Sequence, residues 1–478
     1  MGGSRYTRTP IPEETKEERD AGFDEVLRPY TAEEAVLEAQ RCLNCAMPWC
    51  VQACPITQDC RGYIQLLAQR RFDDAARLTV RDNPLATVLC KTCYHYCEDA
   101  CAMGERGAPI AIRHLKRASV ELGRSDLTYT GVPRRGERVA VIGAGPAGLM
   151  AAWELSLRGY SVTVLEEKPF LGGQMETIPR YHLHGDELDR DLARVRGLDI
   201  VFVVGKRAGV DFTPESLLAE GHLAVYIAIG ASDPRRLGIP GEQLPGVYSA
   251  LEFLLAVNKG PEGVLGRKGR TVCVLGGGDV ALDAARSSLR LAASPGSVTL
   301  LYRQGPEAMP AGAEELRDGT LEGVRFVYRR SPVRVLGTSR VEGLVVQATR
   351  AGPVDARGRP TVEAVPGSEE TIPCDTVIAA VGERADLSGL PAELDLKVSA
   401  HGWPEGGRPD WATDLDGVFA SGGKSVVYAM AAGSAAAAAI DAYIARKLGR
   451  SPIPRPEAFG GSAPPALPDG YGGPSWHL

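Results

Sequence analysis

Nine of the eleven cysteines in this 478-residue chain fall between Cys42 and Cys101, a density no ordinary hydrophobic core asks for. They form two runs, Cys42-x2-Cys45-x4-Cys50-x3-Cys54-Pro55 and Cys90-x2-Cys93-x3-Cys97-x3-Cys101. Disulfides, structural zinc and iron–sulfur clusters would each use thiols spaced this closely. Disulfides need an oxidising compartment, and Met1-Gly2-Gly3-Ser4-Arg5 opens the chain without the apolar run of a secretory leader. Structural zinc sites pair C-x2-C knuckles, whereas a four-thiol run closing on Cys-Pro is the pattern in which the last cysteine serves a second iron–sulfur cluster. The spacing favours two [4Fe–4S] clusters, with Cys42, Cys45, Cys50, Cys54, Cys90, Cys93, Cys97 and Cys101 as candidate ligands. Cys60 falls in a stretch suited to a helix and reads as packing near a cluster without ligating it. His95 reads as a surface or supporting residue, and Cys273 and Cys374 as buried small hydrophobes.

From Arg138 the chain reads RVAVIGAGPAGLMAAWELSLRGYSVTVLEE: an apolar strand, a glycine turn, an alanine-rich helix and a strand ending in acid. Gly143-Ala144-Gly145-Pro146-Ala147-Gly148 supplies the tight turn and the close backbone approach that a pyrophosphate needs at a helix N-terminus. Glu166 closes the second strand, where a carboxylate accepts from ribose hydroxyls and repels a 2′-phosphate, so FAD or NAD fits and NADP does not. Gly173 and Gln174 follow a second glycine turn, and a late run reaching Gly422, Gly423 and Ser425 leads into a helix that would approach the flavin.

A second unit begins at Thr271, TVCVLGGGDVALDAARSSLRL and then SVTLLYR. Gly276, Gly277, Gly278 and Asp279 form its turn, with Ala281 in place of the third glycine. Its second strand ends not in acid but in Arg303, whose guanidinium suits the 2′-phosphate of NADPH. Acid after one unit and arginine after the other indicate FAD in the first and NADPH in the second.

The expected fold is α/β: a helical iron–sulfur domain over 1–130, then two Rossmann-like domains, the NADPH domain (233–380) inserted in the FAD domain (131–232 and 381–448), and a Pro/Gly-rich tail over 449–478. Thr31 to Arg41 fits either a capped helix or a solvated arm. With a net charge of -6 the chain lacks the positive field that phosphate-backbone binding needs, so no nucleic acid is expected. No membrane is expected either, because Ala429–Ile440, the longest weakly polar stretch, is shorter than a bilayer span. A cytoplasmic protein follows.

NADPH delivers hydride, FAD accepts two electrons and releases them singly, and iron–sulfur clusters carry one each. No nucleophile elbow, paired catalytic carboxylates or H-E-x-x-H motif supplies a separate substrate chemistry. The electrons therefore leave for a protein acceptor, a hetero-oligomer is expected, and no catalytic residue is nominated.

The run Arg41-Cys42-Leu43-Asn44-Cys45 through Cys54-Pro55, the two glycine motifs, and Tyr302-Arg303 with Met309-Pro310-Ala311 resemble the small (beta) subunit of NADPH-dependent glutamate synthase, over about residues 20 to 447. The same module is similar to the N-terminal half of dihydropyrimidine dehydrogenase and to subunits of NADPH:ferredoxin oxidoreductases. The resemblance implies that Cys42, Cys45, Cys50 and Cys101 hold one [4Fe–4S] cluster and Cys54, Cys93 and Cys97 most of the other, with electrons passing to a large glutamate synthase subunit, a ferredoxin or another reductase. Three positions depart from it. Lys116 stands where the family often places a carboxylate or amide ligand, leaving Cys90 as the expected substitute; Gln304 replaces a second arginine after Arg303; and Gly423-Lys424 replaces a usual aspartate.

Overall fold

The computed structural model describes residues 5–124, 134–260, 270–292, 297–354, 360–394, 396–399, 402–405 and 410–454. The expected boundary at 130/131 and the tail beyond residue 454 lie outside them.

Residues up to 124 are helical. Of the helices Ala32–Ala39 (α1), Cys60–Ala68 (α2), Phe72–Arg81 (α3), Ala86–Thr92 (α4) and Ile112–Leu122 (α5), α1, α2, α3 and α5 share a core containing Tyr63, Ile64, Leu66, Leu67, Leu78 and Leu115, whereas Val88 and Leu89 of α4 belong to the core of the nucleotide unit that follows. The helix starts have local causes. Thr31 and Glu34 form a reciprocal capping box on α1, so the segment ahead of Cys42 is the capped helix and not a solvated arm. At the start of α2 the Asp59 carboxylate accepts from the Gly62 N–H at 2.9 Å. Near the end of α1, Glu38 is wholly buried, which costs free energy unless its charge is paired and hydrogen-bonded. It accepts from the Thr9 and Ala111 N–H groups, each at 2.8 Å, and pairs with Arg41. One buried carboxylate thus ties the N-terminal arm and the start of α5 to the residue preceding Cys42.

The first nucleotide unit follows. β1 (Arg138–Ile142), α6 (Pro146–Leu157), β2 (Ser161–Glu166), β3 (Ile200–Val204) and β4 (His222–Ile227) give parallel pairs in the order β4-β1-β2-β3. Gly143 has φ 106°, and a Cβ there would lie 2.5 Å from the Ala228 carbonyl oxygen, so the turn out of β1 accepts only glycine.

After β4 the chain leaves this sheet. Asp233–Pro234 pairs antiparallel with the returning Glu383–Arg384, a two-stranded link between the two bodies. Within the excursion, β5 (Val247–Ser249), β6 (Val272–Leu275), α7 (Asp279–Ala292), β7 (Val298–Tyr302), α8 (Ala313–Glu322), β8 (Arg325–Tyr328) and β9 (Thr376–Ala379) build a second parallel sheet, ordered β5-β9-β6-β7-β8. An antiparallel sheet of Arg330–Leu336, Gly343–Val354, Pro360–Ala364 and Glu370–Ile372 is interposed before β9; nothing in the sequence reading anticipates it. The chain then re-enters the first sheet as β10 (Val418–Ala420), parallel to β4, and ends its described course with α9 (Val426–Lys447). This is the expected α/β architecture, with one dinucleotide fold inserted in the other.

The alanine content of α9 is explained by its packing. A Cβ on Gly433 would come within 2.1 Å of the Ala147 carbonyl oxygen, so the backbones of α9 and α6 touch. α9 is long and apolar enough to cross a membrane by length and composition, but 56% of its apolar window is buried inside the molecule.

Candidate functional site

The two cysteine runs fold into two separate cavities, and each run contributes to both. Cys42, Cys45, Cys50 and Cys101 line the first, with Trp49 and Ile64. Cys54, Cys93 and Cys97 line the second, with Cys60, His95, Tyr96, Lys116 and Val427. The exchange follows from the short helix Trp49–Gln52, which separates Cys50 from Cys54 and delivers them to different cavities. Glu98, buried beside Cys97, pairs with Arg8 and accepts from the Arg113 N–H at 2.9 Å, which holds the Cys97–Cys101 loop against α5. Burial pushes the thiols of Cys42 and Cys54 up to about 11. A thiol so placed keeps its proton unless a cation replaces it, and clustered soft donors of this kind suit iron–sulfur ligation.

Cys90 does not join either wall. It lies inside α4, 3% exposed, and its thiol donates to the Thr87 carbonyl oxygen at 3.0 Å. Cys90, expected as the substitute for the missing ligand, thus has its sulfur turned back along its own helix. Lys116 is where the sequence placed it, on the second cavity's wall. Burial works against its charge, but Cys93, Cys54, Cys90 and Cys97 around it outweigh burial and hold its proton more firmly than usual.

In the first nucleotide unit, Glu166 accepts from the Ala144 N–H at 2.7 Å and the Lys168 N–H at 2.8 Å, which fixes its carboxylate beside the glycine turn. Gly172 N–H donates to the Ala144 carbonyl at 2.9 Å, and a Cβ on Gly173 would sit 2.9 Å from the Gly145 Cα. The two turns thus lie against each other, with Pro146 as the first residue of α6 and the Gln174 amide donating to the Ala231 carbonyl. Nothing lies within 4 Å of where a Gly145 Cβ would be. Ser425 is the N-cap residue of α9, and its hydroxyl is buried with no partner among the described residues. An open glycine backbone at a helix N-terminus and an orphaned buried hydroxyl are what a dinucleotide would satisfy, so these residues fit FAD. Gly422 backs on Trp403. A Cβ on Gly423 would lie 2.3 Å from the Ala429 nitrogen, so the aspartate that the resemblance led one to expect has no room here. Lys424 lies 4.7 Å over the Tyr428 ring.

In the second unit, Gly276 has φ 151°, and a Cβ on Gly277 would lie 2.5 Å from the Tyr302 ring. The place of a Gly278 Cβ is open. Arg303 is exposed at the end of β7 and has no ion-pair partner among the described residues. Gln304 receives the Tyr302 hydroxyl at 2.9 Å. Asp279 at the start of α7 accepts from the Gly312 N–H at 2.8 Å and from the Tyr94 hydroxyl, anchoring the 309–312 loop and the iron–sulfur domain.

Against known proteins, residues 19–126 match the family described as dihydropyrimidine dehydrogenase domain II, 4Fe-4S cluster, and residues 137–439 match pyridine nucleotide-disulphide oxidoreductase. The glutamate synthase [NADPH] small chain of Halomonas elongata is 34% identical over 84% of this chain and 88% of its own length. That of Escherichia coli is 32% identical over 87% and 91%. The chain belongs to the glutamate synthase small chain family. Like other members it is an NAD(P)H-dependent oxidoreductase with a 4Fe-4S domain and an FAD and pyridine-nucleotide fold. The chain is also similar to the NADP(+)-dependent formate dehydrogenase subunit beta of Moorella thermoacetica, 35% identical over 83% of this chain, of which the chain spans 60%. A structure of Mycobacterium tuberculosis FprA in complex with NADPH shares the fold at TM-score 0.53 and 20% identity, over 66% of this chain and 86% of that one.

What sequence reasoning missed are the contacts joining these sites, most of them made by the residues between Cys93 and Cys97. Tyr94 reaches Asp279, His95 lies 3.5 Å from Glu314 of α8, and Tyr96 meets Tyr428 of α9 edge-on at 5.5 Å between ring centroids. The Tyr-His-Tyr run between two ligand candidates was the available signal. His182, Asp283 and Glu315 also cluster closely enough to suggest a cation site, but the Arg286 guanidinium already fills it, 2.6 Å from Glu315 and 3.4 Å from the His182 Nε2.

Proposed function

We propose that this chain is the NADPH-oxidising, electron-input subunit of a larger cytoplasmic enzyme. FAD sits in the first unit and NADPH in the second, two [4Fe–4S] clusters sit in the cysteine cavities, and the partner is a glutamate synthase large subunit. When bound, the flavin converts a hydride pair into single electrons and the clusters carry them one at a time. In this reading Cys42, Cys45, Cys50 and Cys101 hold one cluster and Cys54, Cys93 and Cys97 hold three corners of the other. Gly143, Gly145 and Gly148 make room for the pyrophosphate, Glu166 orients the adenosine ribose, and Arg303 receives the 2′-phosphate.

The observation that carries the reading is the first turn of α9. Ser425, the N-cap residue of α9, has a buried hydroxyl with no partner among the described residues, which in this reading the flavin nucleotide satisfies, while Val427, two residues on, forms part of the second cysteine cavity's wall. One helical turn spans the two sites. Anaerobic titration with NADPH tests it: bound flavin bleaches and a reduced-cluster paramagnetic signal grows, whereas protein whose flavin stays oxidised contradicts the reading.

A second reading keeps the chemistry and changes the acceptor to a ferredoxin or another reductase. It is favoured by Lys116 and Gly423-Lys424, and by relatives named as subunits of a formate dehydrogenase and of an NADPH-Fe(3+) oxidoreductase. Native isolation followed by mass spectrometry separates the two. A co-eluting large amidotransferase subunit supports the first, and a different reductase or ferredoxin supports the second.

A further inference from the structure

We infer that Cys60 is the fourth thiolate of the second cysteine cavity, an inference that rests on the proposal above that this cavity holds a [4Fe–4S] cluster. A cubane offers four irons for external ligation, and Cys54, Cys93 and Cys97 fill three. The wall carries one further thiol, Cys60, which is absent from the wall of the first cavity. It is the first residue of α2, where the Asp59 cap on Gly62 fixes the helix start, and it is 2% exposed. Its thiol interacts with those of Cys97 and Cys50, which places it on the partition between the cavities. Cys90, the other spare thiol nearby, is off the wall and bound to the Thr87 carbonyl.

Lys116 supplies an independent argument. It is 8% exposed, lines this cavity, and has no carboxylate partner among the described residues. A buried ammonium without a counter-charge is costly, so the cavity it lines must take an anion. A cubane held by thiolates is a net anion, and a fourth thiolate adds one more negative charge than a neutral ligand would. The lysine that cannot ligate iron thus offsets part of the extra charge of an all-thiolate site. Ligation replaces the Cys60 S–H bond by an S–Fe bond and releases the proton to solvent; no electron is transferred.

The test uses the full chain, reconstituted anaerobically with iron and sulfide, and measures iron per chain and the paramagnetic signals of the oxidised and reduced states. Wild type carrying no clusters would defeat the cluster reading itself. With both clusters in wild type, Cys60→Ala is expected to lose about one iron per chain and to show a three-iron signal when oxidised, while flavin content and the other cluster's signal persist. Cys60→Ser keeps the side-chain size and gives the same result if the alanine variant does not accumulate. Cys90→Ala is expected to match wild type. Wild-type iron content and spectra in the folded Cys60 variants, or iron loss in Cys90→Ala, would overturn the inference.

Discussion

Arg303 ends β7 exposed and unpaired among the described residues, while Gln304 is engaged with Tyr302, so a single guanidinium marks this end of the strand. Charge-assisted contacts to phosphate are among the strong hydrogen bonds. Arg303→Ala is therefore expected to raise KM for NADPH by about 10- to 100-fold, equivalent to roughly 1.4–3 kcal/mol, and to leave NADH nearly unaffected. Steady-state reduction of an artificial acceptor checks this; an unchanged preference would place the selectivity elsewhere. Gly423→Asp puts a side chain where a Cβ would be 2.3 Å from the start of α9. An overpacking cost of about 1–3 kcal/mol and weaker flavin retention are expected, read from thermal unfolding and the bound-flavin fraction. At this scale the glycines and Glu166 were legible because their chemistry is local. That Cys60 and not Cys90 lines the second cavity was not, because it depends on which side of a helix faces a cavity made by distant segments.

α9 joins the two kinds of site, and its contact with α6 is set by one residue. Gly433→Val drives a branched side chain into the Ala147 backbone, so the helices must separate. A loss of about 1–3 kcal/mol is expected in denaturant unfolding followed by flavin fluorescence, with the cluster signals less affected than the flavin. The helix itself was readable from its alanine-rich run after a glycine turn. That its second residue borders the cysteine cavity was not, since composition fixes what a helix can pack against and not which neighbour arrives there. The antiparallel sheet before β9 escaped the reading for a related reason: its strands Arg330–Leu336 and Glu370–Ile372 are half-exposed and carry little of the hydrophobic signal that marked the parallel strands.

At the scale of the molecule, an ionic cluster clamps the two nucleotide units and the N-terminal arm together. Arg286 of α7 bonds Glu315 at 2.6 Å and Glu322 at 2.8 Å, Arg19 from the arm meets Asp318 at 3.2 Å, and His182 from the first unit lies 3.3 Å from Asp283. Burial works against the His182 charge, but Glu315 and Asp283 raise it to about 9. A raised histidine stabilises fully below its unfolded value of about 6.5 and loses that contribution as pH rises through 9. Stability is thus expected to fall progressively from about pH 6 to about pH 10, by at most about 3 kcal/mol in all, and His182→Gln to lack this fall in thermal unfolding against pH. Removal of iron by a chelator should expose the cysteine segments to proteolysis first while both dinucleotide sheets persist, because metal binding there is folding free energy; limited proteolysis with mass spectrometry reads this out. The sequence by itself determined the two glycine units, the acid and the arginine that distinguish them, and two metal-binding thiol runs, since each is a short-range pattern with its own chemistry. Only the tertiary structure decided which thiols share a cavity, that Asp279 anchors the 309–312 loop and Tyr94, and that the first turn of α9 borders the second cysteine cavity. Those facts depend on side chains far apart in the chain meeting in a packed interior, where direction as well as residue type decides the partner.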